Sequence, residues 1–265
     1  MCNTVSIKER IIDVYRSAAR WFRQGRIGLV RSRMPDSIEM LLVLAADSEV
    51  TAACRLFDAK APADAQSGAA FRVSSSVWVL QTGIGKANAA ARVAQTLATT
   101  KVQRVINIGV AGSLPGSGLD LGQAILASRS VFADEGIDTP GGFLDCKAMG
   151  FPIYQDDDGA GISPDQELLA KLQSLGLSEV VVATVSTCSG RDALAMRVRR
   201  RTGAAAEGME GAAAMLACHH AGVPAAEIRI ISNTTGDRES QTWDIGLAMT
   251  RLGELSFQLS DIDFN

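Results

Sequence analysis

The stretch "AEGMEGAAAMLACHHAGVPAAEIRIISN", residues 206–233, decides the fold class. After the short "EG" it reads as a helix that is apolar on nearly every face, through Met209, Ala212, Ala213, Ala214, Met215, Leu216 and Ala217. A helix of that kind is normally buried. It feeds straight into an apolar strand, "AEIRIISN", 226–233. One residue breaks the pattern. Glu210 falls in the helix's first turn, and an unpaired buried charge is expensive. Free backbone N–H groups and the helix dipole favour an anion there, but the carboxylate still needs a partner.

The same alternation extends in both directions. "MLLVLAA", 40–46, is a continuous apolar run, as expected of a strand buried on both faces. "SSVWVLQTG", 75–83, reads as a strand ending at a Gly turn, and "KANAAARVAQTLATT", 86–100, as a helix with small residues on its packing face. "RVINIGVAG", 104–112, reads as strand and then glycine turn, and "QAILASRSVF", 123–132, as a strand. "PDQELLAKLQSLG", 164–176, is an amphipathic helix with Pro164 suited to its first turn. "EVVVATVST", 179–187, is a strand, and a last helix falls near 242–260. The class is therefore α/β, a three-layer α/β/α arrangement with helices covering both faces of a central sheet that is mostly parallel or mixed. In such sheets ligands bind beyond the carboxyl ends of the strands, so the residues just after these runs are the ones to read for chemistry.

The chain has 265 residues and a net charge of -3, which gives no sign of nucleic-acid binding. Its five cysteines are odd in number and never spaced CxxC, which points to a reducing cytosol and away from disulfide or zinc frameworks. No run is long and apolar enough to span a bilayer. Residues 1–38 differ from the rest, with eight basic residues against three acidic ones. "IKERIIDVYRSAARWF" within them has the spacing of a basic amphipathic helix, which admits a membrane-surface or partner role. The simpler expectation is an extension outside the fold, or a start ahead of the natural first strand at Met40. Residues 39–265 are expected to form one domain.

"AADSEV", 45–50, puts Asp47 and Glu49 at a strand end. Either is a candidate general base if partly buried; the alternative is a solvated carboxylate at a helix start. "GVAGSLPGSG", 109–118, lets backbone approach a ligand closely. It has neither the GxGxxG spacing nor a following GK[ST], and alone it reads as a turn. Asn233 ends a strand and offers both a donor and an acceptor, which suits the edge of a heterocyclic base, or a turn. His219 and His220 sit mid-helix without a ligand-spaced partner and read as packing or surface residues, so no metal site is indicated. No GxSxG elbow is present.

Taken together, "AADSEV", "INIGVAGSL" and "EGMEGAAAMLACHHAGVPAAEIRIISN" resemble the purine nucleoside phosphorylase and nucleosidase superfamily, over about residues 40–265. Within it the chain is most similar to the futalosine hydrolase family, through "GVAGSL", "DEGIDTPGGF", "MGFP" at 149–152, the ExMEGAA spacing from Glu207, and "ISNTTGDRESQTWDI". The resemblance implies a phosphorylase/hydrolase-like fold and hydrolysis of an N-glycosidic bond in the futalosine route to menaquinone. It implies that Glu49 activates water, Met209 packs against the sugar, Glu210 grips the ribose hydroxyls and Asn233 faces the purine. It also implies that Ala111, Gly112, Thr187 and Ser189 line the substrate pocket and that Phe143 lies near the 5′ side.

The related methylthioadenosine/S-adenosylhomocysteine nucleosidases resemble this chain less. They have Asp at the Asn233 position, Ser at the Val110 position and Glu at the Gly208 position. Asn233 favours hypoxanthine as the leaving base; a nucleosidase for methylthioadenosine, S-adenosylhomocysteine or aminodeoxyfutalosine is the alternative. The phosphorylases carry an Arg-containing Gly-rich loop where "AADSEV" stands, and two acids there repel phosphate. Futalosine ends in a benzoate, for which Arg191 and Arg238 are the candidate cations, Arg238 being equally suited to pair with Asp237. The implied partners are a small nucleoside and further copies of the chain in a cytoplasmic homo-oligomer. No cofactor, no metal, no nucleic acid and no membrane span are implied.

Overall fold

The computed structural model describes residues 37–155, 158–159 and 161–264. The amphipathic helix expected near the amino terminus lies outside the described residues. The chain runs β1 (Ile38–Leu44), α1 (Asp47–Arg55), β2 (Phe71–Arg72), β3 (Val77–Gln81), α2 (Lys86–Thr99), β4 (Val102–Ser113) and β5 (Ala124–Phe132). It continues through a hairpin of β6 (Gly136–Thr139) and β7 (Gly142–Asp145), then α3 (Gln166–Leu172), β8 (Ser178–Thr184), α4 (Asp192–Thr202) and β9 (Ala206–Gly208). It ends with α5 (Gly211–Ala221), β10 (Ala225–Thr234) and α6 (Ile245–Leu259).

Eight strands form one mixed sheet in the order β10-β5-β8-β9-β4-β1-β3-β2, and β10 also pairs with β4. Five strands, β4, β10, β5, β8 and β9, therefore close a ring of pairings, and β1, β3 and β2 extend it on one side. Side-chain alternation explains the layers. In β1, Met40, Leu42 and Leu44 pack with residues of α1 and α6, whereas Leu41 and Val43 pack with residues of α2 and α5. Each face of the strand is thus covered by helices, which is why its sequence shows no polar alternation.

Several boundaries differ from the sequence reading. Gly109 and Gly112 lie inside β4, not in a turn after it. Their lack of a side chain serves neighbours across the sheet. A Cβ on Gly109 would lie 2.6 Å from Arg229 Nη1 and 2.7 Å from Glu49 Oε1; one on Gly112 would lie 2.7 Å from Thr235 Cγ2. Pro164 precedes the cap of α3 instead of occupying its first turn. The cap is Asp165, whose side chain accepts from Leu168 N at 2.9 Å. Helix α5 starts at Gly211, because Ala206–Gly208 pair as a short strand with β4 and β8. Met209 is therefore outside the helix and Glu210 is its cap residue. His219 and His220 fall in the last turn of α5, not its middle, and His219 packs against the Tyr154 ring with centroids 4.6 Å apart.

Candidate active site

The end of β1 and the start of α1 hold the first carboxylate. Glu49 is buried, while Asp47 is exposed and bonded to the Gln66 and Gln81 amides. Of the two acids in "AADSEV", burial singles out Glu49. Its Oε2 accepts from Ala45 N (3.0 Å) and Ala46 N (2.9 Å), and its Oε1 from Val110 N (2.9 Å). Two of these donors are the free N–H groups ahead of α1, and the third crosses over from β4. A carboxylate has about four lone-pair sites. Three are filled, so Glu49 is fixed in place yet can still take one proton-bearing partner on Oε1.

Glu210 stands at the cap position of α5, but its side chain makes no capping hydrogen bond to that helix. Its Oε1 accepts from Gly85 N at 2.9 Å, and its Oε2 lies 3.6 Å from Arg229 Nη1. Burial pushes its carboxyl above the usual carboxylate range, opposed by Arg229 and Gly85 and assisted by nearby Glu49. Arg229 and its strand neighbour Glu227 escaped the sequence reading. Both are almost fully buried, and Arg229 Nε donates to Glu227 Oε1 at 2.8 Å. Arg229 also donates to Asn107 Oδ1, and Ser130 Oγ donates to Glu227 Oε2. The register explains the grouping: Glu227 pairs with Asn107 and Arg229 with Gly109 across β10 and β4. Residues two apart on a strand share a face, so these side chains all project toward the head of α5. Gly211 makes room there, since a Cβ on it would lie 2.0 Å from Glu227 Oε1.

Asn233 lies where the β10 register shifts between Ile231 and Asn233. Such bulges re-aim side chains beside functional sites. Its Oδ1 accepts from Ser232 Oγ (2.9 Å) and its Nδ2 donates to the Thr234 carbonyl (2.8 Å). Gly112 adjoins it: a Cβ there would lie 3.0 Å from Asn233 Nδ2. Ala111 is buried in the sheet beside it, and Ser232 Oγ reaches its carbonyl at 3.3 Å. Ser189 is buried, with its N–H and its hydroxyl both donating to the Glu207 carboxylate at 2.6 Å. Desolvation raises the Glu207 pKa despite these bonds. Ser189 thus anchors the 186–190 loop through its side chain, while Thr187 is exposed. Glu207, which opens the ExMEGAA spacing, is a further buried acid to which the sequence reading gave no role.

Met209 lines a groove of about 670 Å³ with Ile84, Gly85, Lys86, Phe132 and Ser186. Gly85, whose N–H bonds Glu210, is part of its wall. Phe143 stands apart from the carboxylates, in an adjoining cavity where the Arg201 guanidinium lies over its ring, 4.4 Å from the centroid. Arg191 is exposed at the cap of α4. Arg238 does not pair with Asp237. It bonds to Gln241 Oε1 (3.1 Å) and stacks on Trp243, while Asp237 accepts from Asp192 N (3.0 Å). The structure therefore groups Glu49, Glu210 and Gly109 around Arg229, with Ala111, Gly112 and Asn233 further along the same strand pair. A fixed carboxylate, a second carboxylate beside an open groove and a strand-end amide are the equipment for activating water next to a bound polyol. Among the described residues no helix is long and apolar enough to cross a membrane.

Comparison with known proteins bears on the family and the fold. The model of the phosphorylase superfamily matches residues 39–261. A futalosine hydrolase of Acidothermus cellulolyticus is 34% identical over 221 residues, covering 82% of this chain and 88% of that protein. A 5′-methylthioadenosine/S-adenosylhomocysteine nucleosidase of Chromohalobacter salexigens is 33% identical over 170 residues, covering 60% of this chain and 68% of its own. The native futalosine hydrolase structure of Helicobacter pylori superposes with a TM-score of 0.68 at 19% identity, covering 84% of this chain and 97% of that one, which speaks for the fold. The chain belongs to the phosphorylase superfamily and, within it, to the futalosine hydrolase family.

Proposed function

We propose that this protein hydrolyses the N-glycosidic bond of futalosine, releasing hypoxanthine and dehypoxanthine futalosine on the route to menaquinone. The observation that carries the reading is the buried pair Glu49 and Glu210 on either side of Arg229, with an amide and not a third carboxylate at Asn233. In the proposed mechanism the C1′–N9 bond stretches toward an oxocarbenium-like transition state, as in other glycoside hydrolysis. The bonding pair leaves with the purine. A water oxygen bonds to C1′ and one of its protons passes to Glu49. The departing base takes up a proton from solvent and Glu49 returns its own to solvent, so the net change is one water added across the bond. Glu210, charged, holds the ribose 2′- and 3′-hydroxyls for attack. Asn233 hydrogen-bonds the purine as negative charge grows on it, an effect of about 3 kcal/mol in comparable sites. Met209 packs on the sugar, with Ala111, Gly112, Thr187 and Ser189 around the base pocket.

Water as nucleophile follows from charge. "AADSEV" supplies Asp47 and Glu49 where a phosphate would need cations. We further propose a cytoplasmic homo-oligomer, a dimer or larger, as the working form. The test is incubation of the purified protein with futalosine in phosphate-free buffer, followed by chromatography. Hypoxanthine release without phosphate is expected. A phosphate requirement, or cleavage of methylthioadenosine alone, overturns the reading.

A further inference from the structure

The cavity beside Phe143 has a volume of about 150 Å³, and Val131, Phe132, Ile153 and Ile162 supply much of its wall. Phe132 and Glu135 line both this cavity and the groove that holds Met209, so the two spaces share a wall. Two cations line the cavity, the exposed Lys147 and the half-buried Arg201 from the last turn of α4. The Arg201 guanidinium stacks on Phe143, and its Nε is buried with no hydrogen-bond partner among the described residues. Two other arginines have a buried nitrogen in that state, Arg104 and Arg199. Each has a second nitrogen engaged, Arg104 with the Phe264 carbonyl (3.3 Å) and Arg199 with the Gly116 carbonyl (3.0 Å). Arg201 makes no such bond among the described residues; it stacks on the ring, and the Asp134 and Asp138 charges act on it without a direct hydrogen bond.

A half-buried guanidinium with no direct acceptor among the described residues is only partly compensated by acids at a distance. The acids on the cavity wall are already committed. Glu135 pairs with Lys86 at 2.9 Å, and Asp145 accepts from Ala148 N at 2.7 Å. The cavity therefore combines apolar walls, an aromatic face and a planar cation with open N–H groups. That combination fits an aromatic ring ending in a carboxylate, because the guanidinium fork matches a carboxylate in two parallel hydrogen bonds.

We infer that this cavity is the subsite for an aryl carboxylate at the far end of the nucleoside's 5′ substituent, with Arg201 as the specificity-determining cation. The inference rests on the nucleosidase reading above and deepens it. Arg191 and Arg238 are then left with no part in carboxylate recognition. Arg201 binds the tail and leaves the reacting bond untouched, so its effect is on discrimination.

The experiment compares futalosine with its carboxylate methyl ester, using the wild type and Arg201→Met. The wild type is expected to favour the free acid in kcat/KM by about 10- to 100-fold, the range of a charge-assisted hydrogen bond. Arg201→Met is expected to lose that factor on the acid and to leave the ester unchanged. Equal rates on acid and ester by the wild type overturn the inference whether or not the variant folds. So does an equal loss on both compounds by a variant with wild-type thermal stability. If the wild type releases hypoxanthine from neither compound, the hydrolase reading fails and this subsite falls with it.

Discussion

Glu49 is held by three backbone N–H groups, two from its own helix start and one from β4. Such rigidity fits a group that must meet a water at a fixed distance, since a general base has to be in hydrogen-bond reach of the proton it takes. Glu49→Gln keeps the shape and removes the base. Turnover of futalosine is expected to fall about 10²- to 10⁴-fold, with nucleoside binding retained; isothermal titration alongside single-turnover rates checks both. Unchanged turnover removes Glu49 from the mechanism. Glu210 carries the pH dependence. Burial raises its pKa, and its proposed role needs the charged form, so the acid limb of kcat/KM is expected above the usual carboxylate range. The same shift acts on stability with a definite sign. The folded state binds this proton more tightly than the unfolded chain, so the group's contribution is full below the unfolded pKa and is lost as pH rises through the folded one. Rate and melting profiles of the wild type and Glu210→Gln, measured across that window, test it: the variant's residual rate should lack the limb, and its melting curve should lack that component. Glu49, Glu210 and Asn233 were legible because they stand in motifs at strand and helix ends. Arg229 and Glu227 were not, because "AEIRIISN" reads as a continuous apolar strand. Their i, i+2 spacing, which places two opposite charges on one face, was the available signal.

At the scale of elements, β4 is the organising strand. It pairs with β1, β9 and β10, and its two glycines let side chains pass close to its backbone, the charged Arg229 and Glu49 at Gly109 and Thr235 and Asn233 at Gly112. Gly109→Ala is expected to displace Arg229 and Glu49, whose atoms would lie 2.6 and 2.7 Å from the new Cβ. Overpacking in a well-packed core costs about 1–3 kcal/mol, and activity should fall further than stability because the displaced group is the proposed base. Denaturant titration and kcat on the same preparation separate the two. A fully active Gly109→Ala would show that the site tolerates movement there. The strands β1, β3, β4, β5, β8 and β10 were legible as apolar runs, since burial on both faces writes itself into composition. The β6–β7 hairpin was not. Each strand has four largely exposed residues, which leaves neither alternation nor apolar mass to read. The three-residue β9 is equally silent, and missing it shifted the expected start of α5 and put Met209 inside the helix.

The whole molecule places its buried charge where the ring of strand pairings closes. Arg229 on β10 links Asn107 on β4 and Glu227 beside it to Glu210 at the head of α5, and Ser130 on β5 completes the chain. One cation faces three buried carboxylates, Glu227, Glu210 and Glu49, so it matters to both fold and site. Replacing a buried ion pair with apolar groups is often neutral, whereas removing one partner leaves the other charge uncompensated and costs about 3–5 kcal/mol. Against a total stability of about 5–15 kcal/mol, Arg229→Met is expected to be severely destabilising, because Glu227 is 0% exposed and cannot turn to solvent. Arg229→Met combined with Glu227→Gln removes one stranded charge and should recover part of that loss. The coupling is read from a double-mutant cycle in urea. A non-additive gain in the double variant locates the cost in the Glu227–Arg229 pair. Strict additivity would mean that the two residues act independently and that Arg229 is held chiefly by Glu210, in which case Glu210→Gln, not Glu227→Gln, should be the substitution that rescues Arg229→Met.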